Sequence, residues 1–372
     1  MATPVKTVTG LSFASMFFLG IAVSIVGAAA RNIGLEQHEI GTLQSVQFLG
    51  FIIAVVVSGT LGDTFAKTRV LALGALTIAL SFFFLYRFPT YALNIAVMFC
   101  LGTGMGIVEG VNDALLMDLH PDRPGPLIGL NHFFVTIGAL TVAGYLIFLQ
   151  IDWRRSVVQS SFVMAAIACA FFFIPGARGT GVSTSVKERL RFVRGEPGLL
   201  LLTLALTLGT GVQIGSVGVL TTFLMHERAF DQVTSKVGLI LFHFGVATGR
   251  AVVGALVKER HIYRAIVWLF SLTIVTSFLL FRVDVGIATY VTAYLLGVCV
   301  SSLLPLLITY GGIAYRENAG TAMGIVKMGI PAGGIVVPFI IAVVSEQAGA
   351  EAAYWVFPFV ATAGLGVVLA GR

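Results

Sequence analysis

Gly59-Thr60-Leu61-Gly62-Asp63 and Gly254-Ala255-Leu256-Val257-Lys258 stand 195 residues apart in a chain of 372. The same separation aligns Gly102 with Gly297, Gly125 with Gly320 and Gly129 with Gly324. A single gapless register over roughly 70 residues is hard to reach by chance and reads as an internal duplication. Each copy is a run of apolar segments. The first set lies at roughly 10–30, 40–62, 70–88, 91–118, 126–149 and 156–175, the second at roughly 198–225, 235–257, 265–281, 287–313, 320–344 and 352–371. Spanning strands are short and alternate lipid-facing with lumen-facing residues. These runs are too long and too continuously apolar for that. The expected fold is an all-α polytopic membrane protein with twelve transmembrane helices in two pseudo-symmetric halves, 1–175 and 198–372, joined by a linker at 176–197. Repeats related by an axis along the membrane normal build many secondary transporters, with the substrate site between the halves near mid-membrane.

The composition agrees. Hydrophobic residues make up 57% of the chain and charged residues 11%, with a mean hydropathy of +0.97. A soluble domain carries roughly 25% charged residues, so too little polar surface exists here to cover a water-soluble globule. A soluble enzyme and a nucleic-acid binder are excluded despite the net charge of +6. So is a disordered chain, which needs low hydrophobicity and high charge. At ~20 residues per span, twelve spans take about 240 residues and leave about 130 for loops and tails, so no large extramembrane domain fits. Cys100, Cys169 and Cys299 all lie in apolar runs, where free, buried thiols are expected rather than a disulfide framework. The run from Gly10 to Ala30 is longer than the apolar core of a signal peptide. The duplication also requires it as a first helix.

Orientation follows from Lys and Arg. With the N-terminus inside, 14 fall on inner segments and 7 on outer ones, while Arg250 and Lys327 fall within spans. Both termini are therefore expected in the cytoplasm. Between the halves, Arg178, Lys187, Arg189, Arg191 and Arg194 outnumber Glu188 and Glu196. Val186–Val193 reads either as a short amphipathic helix on an anionic leaflet or as a solvated linker.

Charges in mid-span cost roughly 2.5–3.5 kcal/mol on insertion scales, so each one needs a reason. Glu109 stands nine residues before the end of its span. Asn112 and Asp113 follow at i+3 and i+4, on the same helix face. Desolvation and a neighbouring carboxylate both favour the neutral form of such an acid, which is the chemistry of a proton-exchanging group in a cavity. A structural helix contact is the plainer reading. Lys327 is the counterpart of His132 under the 195-residue register, so two cation-capable side chains sit at equal depth, one per half. An ammonium there calls for a carboxylate, Glu109 or Asp113, or for an anionic substrate; snorkelling to the inner surface is the alternative. His132 titrates near neutral pH when unperturbed and is a candidate substrate ligand. Gln213 and Gln47 are candidate hydrogen-bonding cavity residues, with His243 a weaker one. Arg31, at the outer end of the first span, either attracts anions or anchors the helix. Gly102, Gly104, Gly106, Gly329, Gly333 and Gly334, with Pro331 and Pro338, fit close packing and bending of helices. Neither a phosphate-binding loop nor a metal-ligand spacing occurs, so no cofactor, no metal and no ATP are expected.

The stretch Gly59-x-Leu61-x-Asp63-x-x-x-Lys67-x-Arg69 resembles the signature loop of the major facilitator superfamily, Gly-x-Leu-x-Asp-Arg-x-Gly-x-Arg-Arg. Thr64 replaces its usual basic residue, Ala66 its glycine, and the second copy carries Lys258 in place of the acid. The resemblance covers essentially the whole chain and implies alternating access. The loop residues Gly59, Asp63, Lys67 and Arg69 would then latch the cytoplasmic side near the start of the eleventh span, and a plain positive-inside turn is the alternative. Gly106-Ile107-Val108-Glu109-Gly110-Val111-Asn112-Asp113, Asp118-Leu119-His120-Pro121 and Leu130-Asn131-His132-Phe133 are similar to the fourth and fifth spans of fucose-permease-like sugar transporters. This implies a proton and sugar role for Glu109 and for Asn112 or Asp113. Met98 stands where drug/proton antiporters place an arginine, and their Gly-Pro motif is missing from Gly138–Gly144.

The resulting expectation is a monomeric secondary transporter of the plasma membrane, moving a small polar solute (a sugar, sugar acid or organic acid) with protons. Efflux or organic-anion exchange stays open as an alternative. So does a transporter-like sensor with no flux, which the changes at Thr64 and Lys258 favour.

Overall fold

A computed structural model describes residues 5–120, 124–148, 152–174, 196–315 and 319–371. Within these, the side chains at 56, 59–60, 63–64, 124–126, 128–129, 143, 147–148, 251–256, 259 and 319–321 are outside the description. The linker readings at 176–195, the side chain of Asp63, and Gly59, Gly125, Gly129, Gly254 and Gly320 of the duplication therefore lie outside the described residues.

The helices are α1 (Val5–Ile33), α2 (Gln37–Thr64), α3 (Lys67–Phe84), α4 (Tyr91–Leu119), α5 (Pro124–Phe148) and α6 (Trp153–Phe173). They continue with α7 (Pro197–Glu227), α8 (Gln232–Leu256), α9 (Ile262–Arg282), α10 (Thr289–Ala314), the pair α11 (Ala319–Lys327) and α12 (Gly329–Ala348), and the pair α13 (Ala350–Ala353) and α14 (Val356–Ala370). Among the described residues there is no strand, and 9 helical segments are long and apolar enough to cross a membrane, two of which, Ala322–Ala348 and Ala350–Ala370, run across the breaks described below. Helix starts have local causes. Asp152 accepts the backbone N–H of Arg154 at the head of α6, and Asp231 accepts those of Val233 and Thr234 at the head of α8. Those two N–H groups hold the Asp231 carboxyl below the usual carboxylate range, Thr234 foremost.

The expected eleventh and twelfth spans are each divided. Pro331 has no N–H to return to the Lys327 carbonyl, and its ring crowds that carbonyl. The chain tightens there instead, with the Met328 N–H donating to the Ile325 carbonyl at 2.9 Å. Pro358 stands in the same relation to Tyr354, and the Trp355 N–H donates to the Ala352 carbonyl at 3.2 Å. The breaks leave Lys327 in the last turn of α11, where the unpaired carbonyls carry partial negative charge.

The chain clusters into two units, Met1–Asn32 with Val46–Ser183, and Ile33–Ser45 with Thr184–Arg372. In the first unit, α3 packs against α4 and α6; in the second, α9 packs against α10 and α14. These are the same pairs displaced by six spans, so the duplication recurs as packing. It also recurs atom by atom. A Cβ on Gly102 of α4 would lie 1.6 Å from the Gln47 carbonyl oxygen of α2, and one on Gly297 of α10 would lie 2.2 Å from the Phe242 carbonyl oxygen of α8. Gly50 and Gly245 make the reciprocal approaches, to the carbonyls of Phe99 and Tyr294. One pair has exchanged sides. Gly106 of α4 admits Ala54, whereas in the second unit the glycine is Gly249 of α8 and it admits Ser301. The early turns of α2 cluster with the second unit, where Gly41 meets the Pro338 carbonyl and the Ser45 hydroxyl donates to the Ile335 carbonyl at 3.1 Å.

Large apolar side chains cover the outside, with Ile287 83% and Phe173 80% exposed. A water-soluble surface would not carry so many. The cysteines correct one expectation: Cys299 is buried, but Cys100 and Cys169 are exposed. An apolar run marks residues that avoid water, and a thiol meets that condition on the lipid side of a helix as well as in its interior.

Close backbone approach at Gly102 and Gly297 predicts a matched response. Gly102→Ala and Gly297→Ala should each lower the melting temperature in detergent, at a cost of about 1–3 kcal/mol for overpacking. Gly10→Ala, with nothing within 4 Å of its Cβ position, should leave it unchanged. Fluorescence-detected thermal unfolding checks all three.

Candidate functional site

Glu109, Asn112 and Asp113 lie on one face of α4, and α5 packs against α4. From α5, the His132 Nε2 lies 3.1 Å from the Asp113 Oδ2 and 3.8 Å from the Glu109 Oε1. The amide of the preceding residue completes the other side: Asn131 Nδ2 donates to the Asp113 Oδ1 at 3.0 Å. Asn112 Nδ2 donates to the Asn131 Oδ1 at 3.3 Å and to the Ser12 carbonyl of α1 at 3.2 Å. Three helices of the first unit therefore meet in one polar string.

Burial is graded along that string. Ser12, Asn112 and Asn131 are fully buried, whereas the side chains of Glu109, Asp113 and His132 keep 18%, 16% and 31% of their exposure. The amides form a sealed floor and the ionisable groups its open side. Buried carboxylates are tolerable only when paired and hydrogen-bonded. One imidazole beside two carboxylates supplies that pairing. Donor atoms of the three residues all lie within 4.8 Å of one another. The sequence shows no metal-ligand spacing because His132 is 19 residues from Asp113 and on another helix.

The other candidate residues are placed as follows. Gln47 is fully buried, and its Nε2 donates to the Ala22 carbonyl at 2.9 Å and to the Met105 sulfur at 3.1 Å. It ties α2 to α1 and α4. Gln213 is half-buried on α7 of the second unit, and its Oε1 has no hydrogen-bond partner among the described residues. Lys327, also in the second unit, is half-buried at the α11–α12 break. His243 is buried on α8, and Arg31 is exposed in the last turn of α1. In the first turn of α3, Arg69 is exposed, while buried Lys67 pairs with Asp118 at the end of α4. That pair joins α3 to α4 inside the first unit.

Asn131 and Ser12 were not legible as site residues. Neighbours i and i+1 on a helix do not face the same way, so Asn131 and His132 look unrelated in sequence. Asp113 reconciles them by offering one carboxylate oxygen to each. Asn131 did stand in Leu130-Asn131-His132-Phe133, a stretch that carries the resemblance to sugar transporters but assigns it no role.

A sequence model described as Major Facilitator Superfamily matches residues 8–321. The sodium-dependent glucose transporter 1 of Rattus norvegicus is 26% identical over 130 residues, which are 34% of this chain and 27% of that protein. The match therefore spans under a third of this curated relative's length. Among solved structures, the nucleoside transporter NupG has a TM-score of 0.78 at 13% identity, covering 99% of this chain and 98% of that one. The human organic anion transporter MFSD10 (TETRAN) has a TM-score of 0.69 at 16% identity, covering 99% of this chain and 100% of that one. At these identities the likeness is one of fold.

If the amide floor holds the acid pair in place, removing it should cost stability. Asn131→Leu, close in volume, strips partners from Asp113 and Asn112. It should destabilise the protein by about 1–3 kcal/mol, the cost of an unsatisfied buried polar group. Thermal unfolding in detergent measures this; an unchanged melting temperature would mean that the floor holds nothing.

Proposed function

We propose that this chain, which belongs to the Major Facilitator Superfamily, is a secondary active transporter that moves a small polar solute across the membrane by alternating access, coupled to protons. The solute class is a sugar, sugar acid or organic acid. The glucose transporter among its relatives and the nucleoside transporter of like fold support a polyhydroxylated solute.

One observation carries the coupling reading: His132 stands between the carboxylates of Glu109 and Asp113, on the partly open side of an otherwise sealed polar string. Glu109, with the longer His132 contact, is the exchanging acid, and Asp113, held by both His132 and Asn131, is the fixed one. Asn112 supports this cluster from the buried floor; His132 in the first unit, and Gln213 and Lys327 in the second, are the proposed polar contacts of the solute, and Arg31 draws anions toward the outer mouth. Gly59, Asp63, Lys67 and Arg69 govern the change of state rather than the solute. The chain works as a monomer in the plasma membrane with both termini in the cytoplasm, as its Lys and Arg distribution favours.

A second reading has its own support. Lys327 places a cation inside a span, and a human organic anion transporter shares the fold. Organic-anion uptake or exchange would use that charge. The last turn of α11 gives the ammonium a partly favourable seat without a substrate, so the two readings must be separated by binding.

Reconstituted into vesicles, the protein should accumulate its solute under an inward proton gradient. Glu109→Gln should lose at least tenfold in gradient-driven uptake while keeping solute counterflow. Equal loss of both would make Glu109 a solute ligand only. Absence of flux for every sugar and acid, with binding intact, would favour the sensor alternative.

Thermal-shift measurements against neutral sugars and carboxylic acids at two pH values, with Lys327→Ala alongside, decide the solute class. Stabilisation by an acid that vanishes in the variant assigns Lys327 to the anion. Stabilisation by a neutral sugar that survives in the variant makes Lys327 a structural element.

A further inference from the structure

We propose that Glu109, Asp113 and His132 form a binding site for a divalent transition-metal ion of the Zn2+ type. The donor set is the first argument. Two carboxylates alone favour hard cations such as Mg2+ or Ca2+, which take oxygen ligands, whereas an added imidazole nitrogen shifts preference toward Zn2+, Co2+ and their neighbours. The His132 Nε2 points to both carboxylates, at 3.1 Å from the Asp113 Oδ2 and 3.8 Å from the Glu109 Oε1. A four-coordinate ion with bonds of roughly 2.0–2.2 Å holds its donors roughly 3.3–3.6 Å apart. The three donor atoms, all within 4.8 Å of one another, reach that spacing by side-chain adjustments of about an ångström, within the rotamer freedom of partly exposed groups.

The surroundings supply the second argument. Metal-binding side chains are normally oriented by outer hydrogen bonds. Asn131 Nδ2 holds the Asp113 Oδ1 at 3.0 Å and leaves the Oδ2 turned to His132. Asn112 in turn holds Asn131 and is anchored on the Ser12 carbonyl. Asn112 is fully buried on the same helix face as both carboxylates, and its Oδ1 has no hydrogen-bond partner among the described residues. The partial exposure of the three ligands provides an entry path, and the remaining coordination position falls to water or to a donor atom of the solute.

Metal binding is independent of the solute and of whether transport occurs, so it succeeds or fails separately from the coupling reading.

The test uses the full chain in detergent with its purification tag removed, titrated with ZnCl2 by calorimetry and with CoCl2 by visible absorption. One Zn2+ per chain is expected, with Co2+ bands displaced by Zn2+. Glu109→Gln, Asp113→Asn and His132→Gln should each weaken binding at least tenfold. His38→Gln is the control, because His38 and Glu36 form a separate surface pair at 3.3 Å; it should leave binding unchanged. X-ray absorption of the wild-type Zn2+ complex provides a readout that needs no variant, and it should show a single imidazole among oxygen ligands. No stoichiometric binding, binding lost in His38→Gln but kept in the three variants, or two or more imidazoles on the ion would each overturn the proposal.

Discussion

A glycine on one helix set against a backbone carbonyl of the next is the contact on which the rest depends. In lipid, apolar side chains gain nothing by leaving one another for the solvent, so helices associate by close packing and by polar contacts. Gly102 on Gln47 and Gly297 on Phe242 bring backbones together at a distance no side chain allows. Gly20 of α1 meets the Val135 carbonyl, and Gly138 of α5 meets that of Phe17. This last pair matters for chemistry, because it fixes the two helices that carry Ser12 and His132 at either side of the α4 acids. The exchange of glycine between Gly106 and Gly249 shows what the duplication conserves. A small residue is required at the crossing, and either helix can supply it.

The polar string works within the same constraint. Low dielectric makes an unpaired charge expensive and a satisfied network rigid. Asn112 and Asn131 use their amides inward and leave the acids and imidazole partly exposed. A floor of neutral dipoles orients the charged groups without cancelling their charge.

How much of this was legible differs by level. Charge at Glu109, Asp113 and His132 stood out because the surrounding residues are apolar, and the i, i+4 spacing already put the two acids on one face. That His132 meets both depended on the crossing of α4 and α5, which no spacing along one helix contains. Gln47 is a second case. A lone amide stands out in an apolar span, but that its Nε2 donates to the Ala22 carbonyl and the Met105 sulfur depends on which acceptors the neighbouring helices bring. The pair of Lys67 with Asp118 is likewise invisible in the sequence, where the two stand 51 residues apart.

The sequence by itself determined the membrane environment, the helical class, the duplication and the few positions where charge enters a span. These follow from composition, period and register, which act along the chain. Tertiary structure decided which small residues make the crossings, where Pro331 and Pro358 divide the last spans, which cysteines face outward and which side chains join the acid–imidazole cluster. Those outcomes depend on distances between residues far apart in the chain, and apolar sequence is compatible with either a lipid-facing or a protein-facing place. Only the packed helices distinguish the two.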